Sequence, residues 1–253
     1  MRRRLAPLLV RFTDEELLLF SATHPVVDAP YLTGLDEGQR RLAVQVAYRS
    51  LCAHGAVAVD GGEGMELPET IVAMLQVRAS ARSVLLISKA TPDVGVLRYH
   101  HLGSDVVVLE DVTDDGMHEF RLTDPEKLPD EVDAFCAVEG VADGHGDPVM
   151  LTVGSFTAGD LAQELWGEGV AQFDATVWRA APDASHQQVL LGVLLGTAGS
   201  WSSRRSLVPD EADDRVIEMQ PARVAGVGDF ILDELLGTQG SEMKPDTWHL
   251  MRR

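Results

Sequence analysis

Two short stretches constrain this chain more than any other feature. "ISKATPD" at 87–93 and "VWRAAPD" at 177–183 align Lys89 with Arg179, Ala90 with Ala180, Pro92 with Pro182 and Asp93 with Asp183, all at an offset of 90 residues. Each follows an apolar β-like run and ends in a Pro-Asp turn, because proline presets φ and aspartate accepts turn geometry. The order of elements is also shared: strand, Pro-Asp turn, strand, loop, strand, helix. A short local identity constrains little alone; the matching order after it predicts an internal duplication. The expected fold class is α+β: two pseudo-symmetric halves, each an antiparallel meander sheet with helices, preceded by a winged-helix-like helical segment. Residues 1–142 form the first half, 143–236 the second, and 237–253 a flexible polar tail, with a break at "DGHGDP" (143–148). Pro92 and Pro182 are expected in equivalent turns.

The front of the chain reads as helical. Thr13 and Glu16 have capping-box spacing ahead of the apolar Leu17–Phe20. Asp36 and Gln39 open a longer helix through His54, with Val44, Ala47, Tyr48 and Leu51 on one stripe and Gly55 as its stop. "AVAVD" is then a short strand, "GGEG" a turn, and Pro68 starts a helix with Ile71, Met74 and Leu75 on one face. From 83 to 122 the period becomes that of strands: "SVLLIS", "VGVLRYH", "DVVVLEDV" and "HEFRLT" form a meander joined by "TPD", "LGS" and "TDDG". A helix follows at 124–138 with Val132 and Phe135 inward. In the second half "TAGDLAQELW" is a short helix, "AQFDATVWRA", "HQQVLLGVLLG" and "RVIEMQP" are strands, "TAGSWSSRRSLVPDEADD" holds the long "TAGSWSSRRS" loop with room for another short strand, and "VGDFILDELL" is the last helix.

With aromatic residues at 6%, the core must be mostly aliphatic. The net charge of −19 opposes binding to phosphate backbones and to anionic membrane surfaces. Within 105–147 there are 14 Asp/Glu against Arg121 and Lys127, which reads as a solvated face. A DNA-binding winged helix needs cations on its recognition helix. The helix at 68–77 has none before Arg78, so the shape is expected to serve packing. Cys52 and Cys136 form no CxxC and suit a reducing compartment. "LAPLLV" after Met1–Arg4 is too short for a signal peptide, and no run reaches the roughly 18 apolar residues of a membrane span. A soluble, cytoplasmic protein is expected.

No motif specifies catalysis. His100 and His101 are adjacent, so on a strand they point to opposite faces and cannot share a metal. His145 in "DGHGDP" and the hydroxyls beside Arg204-Arg205 in "SWSSRRS" are the nearest to a polar site, the latter for an oxyanion. There is no Walker lysine, GxGxxG or GxSxG. No catalytic residue, cofactor or metal is assigned.

"RRLAVQVAYRSLCAHGAVAVDGGEGMELPETIVAMLQVRASARSVLLI" resembles the front of the EspG proteins, chaperones of the actinobacterial ESX type VII secretion systems. "AQFDATVWRA", with Gln172 and Phe173, is similar to that family's Gln-Phe step into its second half, and "DRVIEMQPARVAGVGDFILDELL" to its end; the likeness covers about 15–236. The chain departs from the family at His54, where an arginine is usual, and in the single short helix before the Gln-Phe step. The resemblance implies no catalysis and a cytosolic role: covering the apolar helical tip of a PE–PPE-like substrate until export. Carried onto this sequence, it implies partner contacts at His100, His101, Leu102 and Ser104, and on the last helix at Leu232 and Leu236. The alternatives are a winged-helix regulator, recognised by DNA retention at low salt, and a small-molecule enzyme. The enzyme requires a deep polar pocket joining "SWSSRRS" or His145.

Overall fold

The computed structural model describes residues 9–27, 29–53, 67–113, 115–152, 154–155, 163–180, 186–206 and 216–236, with backbone alone at 163–164, 186–190, 204–206 and 234–236. They form β1 (Val10–Thr13), α1 (Asp14–Leu19), α2 (Glu37–Ala53), α3 (Glu69–Ser80), β2 (Ser83–Ala90), β3 (Gly95–Leu102), β4 (Val107–Val112), β5 (Met117–Thr123), a 3-10 turn (Pro125–Lys127), α4 (Leu128–Cys136), β6 (Val149–Thr152), α5 (Gln163–Trp166), β7 (Gly169–Ala180), β8 (His186–Gly196), β9 (Ser200–Ser206), β10 (Val216–Pro221) and α6 (Val227–Leu236). The class is α+β, dominated by antiparallel strands. The chain divides into two compact units: Met1–Val84 with Arg98–Thr123, and Leu85–Leu97 with Asp124–Arg253. These bounds differ from the halves 1–142 and 143–236 expected from the sequence.

In the first unit the strand order is β1-β5-β4-β3. Val107↔Thr123 through Val112↔His118 sets the β4/β5 register, and Val10↔Phe120 through Thr13↔Met117 adds β1. The edge strand β1, absent from the sequence reading, is only four residues long and merges into α1. Both expected capping pairs form. Glu16 N–H donates to Thr13 Oγ1 and Thr13 N–H to Glu16 Oε2; Gln39 N–H donates to Asp36 Oδ1 and Asp36 N–H to Gln39 Oε1. Phe12, Leu17, Ala22, Met74, Leu75, Val108 and Phe120 make the apolar core, so the helices of the front segment close on β4 and β5. Of the stripe expected on α2, Ala47 and Leu51 are buried and Tyr48 is exposed. His54, Gly55, "AVAVD" and "GGEG" lie outside the described residues, as does the wing they would form.

In the second unit the order is β2-β7-β8-β9-β10-β6. β7 and β8 form the longest ladder, from Gly169↔Gly196 to Ala180↔His186. Two departures from the sequence reading occur here. "SWSSRRS" is strand β9, paired with β8 from Leu195↔Ser200 to Val189↔Ser206, and so is no loop. "VMLT" forms β6 on β10. β8 reads as an apolar run but β9 as a polar one; Ser200 is nevertheless buried because its Oγ donates to Ala142 O. Leu194, Trp201, Ile217 and Met219 form the core cluster, with Trp166 beside them. A Cβ at Gly196 would strike Trp166, which fixes a small residue there. The last helix packs on α4, where a Cβ at Gly228 would meet the backbone of Asp133.

β2 ends at Ala90 and β7 at Ala180, the same 90-residue offset. Thr91 N–H donates to Val94 O across the first turn. Pro182 and its turn lie outside the described residues. Lys89 donates from Nζ to Phe135 O (3.0 Å) and Ala137 O (3.1 Å), carbonyls at the end of α4, and its cation lies over the rings of Phe135 and Phe173. Lys89 thus closes the C-terminus of α4.

Candidate functional site

The turn after β3 is the first candidate surface, in the first unit. Gly103 N–H donates to Val106 O, and a Cβ at Gly103 would collide with that carbonyl and press on Val77 of α3. Only glycine permits so close a turn. It leaves Ser104 and Asp105 exposed and Leu102 and Val106 partly so, with Ser104 Oγ donating to Asp105 Oδ2. His100, His101 and Leu102 are strand rather than turn, the last residues of β3. His100 and His101 are both fully buried, and burial moves the expected contact from them to the tip.

The second surface is a groove of about 680 Å³ along α6 in the second unit. Leu191, Pro221, Ala222 and Phe230 line its apolar part; Arg223 and Asp229 give it a polar rim. Leu232 is buried against the fold, so the face of α6 that it occupies is not the open one. Leu236 is in the last turn of that helix. Ser202 reaches the groove, but His145 is exposed elsewhere in the loop, its Nδ1 near Asp143 O. The groove therefore does not join the two segments that an enzyme reading required.

Beneath the first surface lies a network that sequence reasoning missed. Arg78, on α3 and 2% exposed, grips the fully buried Glu110 of β4: Nη2 donates to Oε1 at 2.8 Å and Nε to Oε2 at 3.0 Å. Arg78 Nη1 also donates to Ala22 O just after α1. His118 of β5 stands between two carboxylates, with Nδ1 on Glu110 Oε1 (2.5 Å) and Nε2 on Asp14 Oδ1 (2.6 Å). Asp14 Oδ2 accepts from Tyr31 N–H, and His101 Nε2 donates to Glu110 Oε2 at 2.6 Å. Burial pushes the Glu110 carboxyl up, but the hydrogen bonds from His101 and His118 and the Arg78 charge overcome it and hold it well below the carboxylate range. Burial likewise pulls His118 down, and its bonds to Asp14 and Glu110 reverse the sign and raise it. Burial lowers His24, and its bond to Ala81 O only partly opposes this.

The signal for this network was present in the strand alternation. Glu110 lies two residues from Val108, and His118 two from Phe120, so each polar group shares a face with a buried apolar one. Buried charges of this kind are tolerated only when paired. The network leaves no cation for nucleic acid on α3, whose sole cation, Arg78, is used inside. On α2, Arg40 donates to Leu35 O and Leu32 O, and Arg41 lies 4.0 Å from Glu37. No helix among the described residues is long and apolar enough to cross a membrane.

No protein-family model matches the chain, and no curated protein matches it in sequence. Among solved structures, it is similar to the type VII secretion system chaperone EspG5 of Mycobacterium tuberculosis, solved in complex with a PE25–PPE41 dimer. The TM-score is 0.55 at 14% identity, over 90% of this chain and 97% of that one. The fold expected from the family resemblance is the fold found.

Proposed function

We propose that the chain is a non-catalytic cytosolic chaperone that holds the apolar helical tip of a PE–PPE-like secretion substrate. The observation that carries this reading is the likeness of fold to EspG5 over nearly the full length of both chains, the EspG5 structure being that of a substrate complex. The surface chemistry supports it. A helical tip with exposed apolar side chains needs apolar contacts inside a polar rim. The β3–β4 turn offers Leu102 and Val106 beside Ser104 and Asp105 on a backbone held rigid by Gly103. The groove along α6 offers Phe230 and Ala222 beside Arg223 and Asp229, and Leu236 extends the proposed contact at that helix's end. The net charge of −19 keeps such a complex soluble.

Co-expression with a PE–PPE-type heterodimer tests the reading. The wild-type chain should keep the heterodimer soluble and elute with it as one species on size exclusion. Leu102→Asp should weaken that association at least about tenfold, the scale of one lost hot-spot contact, with an unchanged circular dichroism spectrum. Aggregation of the heterodimer in the presence of the folded wild-type chain would refute the function. Undiminished capture by Leu102→Asp would refute the assigned surface.

A further inference from the structure

The buried network of the first unit has a protonation state that its geometry dictates. Both ring nitrogens of His118 face carboxylate oxygens, at 2.5 Å and 2.6 Å. A neutral imidazole has one donor and one acceptor, so it would set a lone pair against a carboxylate lone pair. The carboxylates are already acceptors elsewhere: Glu110 from Arg78 and His101, and Asp14 from Tyr31 N–H. A proton on either acid could fill the same contact while the remaining lone pairs kept their partners, but an imidazole binds a proton more tightly than a carboxylate does. The shared proton therefore rests on the ring, which then donates to both carboxylates.

We propose that His118 is a buried imidazolium whose charge ties α1, through Asp14, to Glu110 of β4, so that closure of the helical front segment on its sheet is pH-dependent. This is independent of the chaperone reading. The charged groups facing the site are Asp14 on α1, Arg78 on α3 and Glu110 on β4; His101 on β3 and His24 in the α1–α2 connection face the same cluster. His24 and His101 rings lie edge to face at 5.6 Å. The arrangement balances two carboxylates, Asp14 and Glu110, against Arg78 and the imidazolium. Loss of the His118 proton leaves an excess negative charge in a site closed to water, where an unpaired charge is most costly. The segment to be released is the one that these bonds hold: α1, by Asp14 and by Arg78 on Ala22 O, and the chain up to Tyr31.

The sign follows from linkage. His118 is raised when folded, so its stabilisation is complete below the ordinary imidazole value of about 6.5 and is lost as pH rises through the folded value. His24 is lowered when folded, so its contribution is present above that ordinary value and is lost as pH falls through the folded one. Glu110, also lowered, adds to the acid side. The first unit is therefore most stable near about pH 6.5 and opens on both sides of it.

The test is amide hydrogen exchange on the full chain between about pH 5 and about pH 9, with protection corrected for intrinsic rates and Tyr31 N–H as the reporter. Protection should peak near pH 6.5, and the opening constant should grow by up to about tenfold per pH unit through the alkaline titration, the slope of one proton. Trp201, whose indole donates to Leu165 O in the second unit, should show no such slope. His118→Gln retains a polar ring-sized group but no charge, and should abolish the alkaline slope. Should that variant fail to fold, nitrogen NMR of wild-type His118 decides: two protonated ring nitrogens at pH 7 support the proposal. A neutral tautomer at pH 7, or an alkaline slope that survives in folded His118→Gln, overturns it.

Discussion

The two units are built from the same kinds of element and both have apolar cores, yet among the described residues only the first also buries a charged network. In the first, Arg78, Glu110, His101, His118 and Asp14 occupy the interior and bond one another. In the second, Leu191, Val193, Leu194, Phe173, Trp201 and Met219 fill it. Where β3 carries His100-His101, β8 carries the aliphatic Leu190-Leu191 and Leu194-Leu195. All three tyrosines belong to the first unit, and Trp166, Trp178 and Trp201 to the second. Antiparallel strands closed by helices can therefore share a class without sharing what fills them. An apolar core stabilises by area removed from water and tolerates volume-conserving changes. A charged core is satisfied only as a set, and removal of one member strands the others.

This contrast can be broken directly. Glu110→Ala leaves Arg78 and His118 without their shared acid and should cost about 3–5 kcal/mol, with loss of tyrosine near-ultraviolet signal and retention of tryptophan signal. Trp201→Ala, a cavity in the apolar unit, should cost a similar about 3–5 kcal/mol with the signals reversed. Either change abolishing both signals together would show that the units do not open separately. Lys89→Met keeps the stem of the side chain but removes two hydrogen bonds at the end of α4, and should lower the stability of the second unit by about 1–2 kcal/mol in urea titration. Thr13→Ala removes one arm of the capping box of α1 and should cost about 1 kcal/mol, read as faster exchange in the first unit alone. Leu102→Asp lies at the partly exposed end of β3 and should change stability by less than about 0.5 kcal/mol while still weakening partner capture.

Local rules made much of the fold legible. The capping boxes at Thr13 and Asp36, the strand period over 83–122 and the limits of β8 and α6 followed from short-range chemistry that tertiary contacts reinforced. β9 did not, because "SWSSRRS" has the composition of a loop. Its strand state comes from pairing with β8 and from the Ala142 carbonyl that receives Ser200 Oγ. β1 and β6, four residues each, exist through their partners β5 and β10 and have no period of their own to read. Ser104 lies in the β3–β4 turn and Leu102 ends β3, while His100 and His101 are buried, His101 against Glu110 of the next strand. The network itself depends on side chains up to 104 positions apart, as between Asp14 and His118, a separation at which no sequence spacing is informative.

The central claim, a helical secretion substrate held at the β3–β4 turn, is tested most directly by purifying the chain from its native cell with a photo-crosslinker at Ser104 and identifying the attached protein. The account predicts a PE–PPE-like helical protein joined through its apolar tip. Recovery of that protein with no crosslink from Ser104, or of nucleic acid in its place, would contradict it.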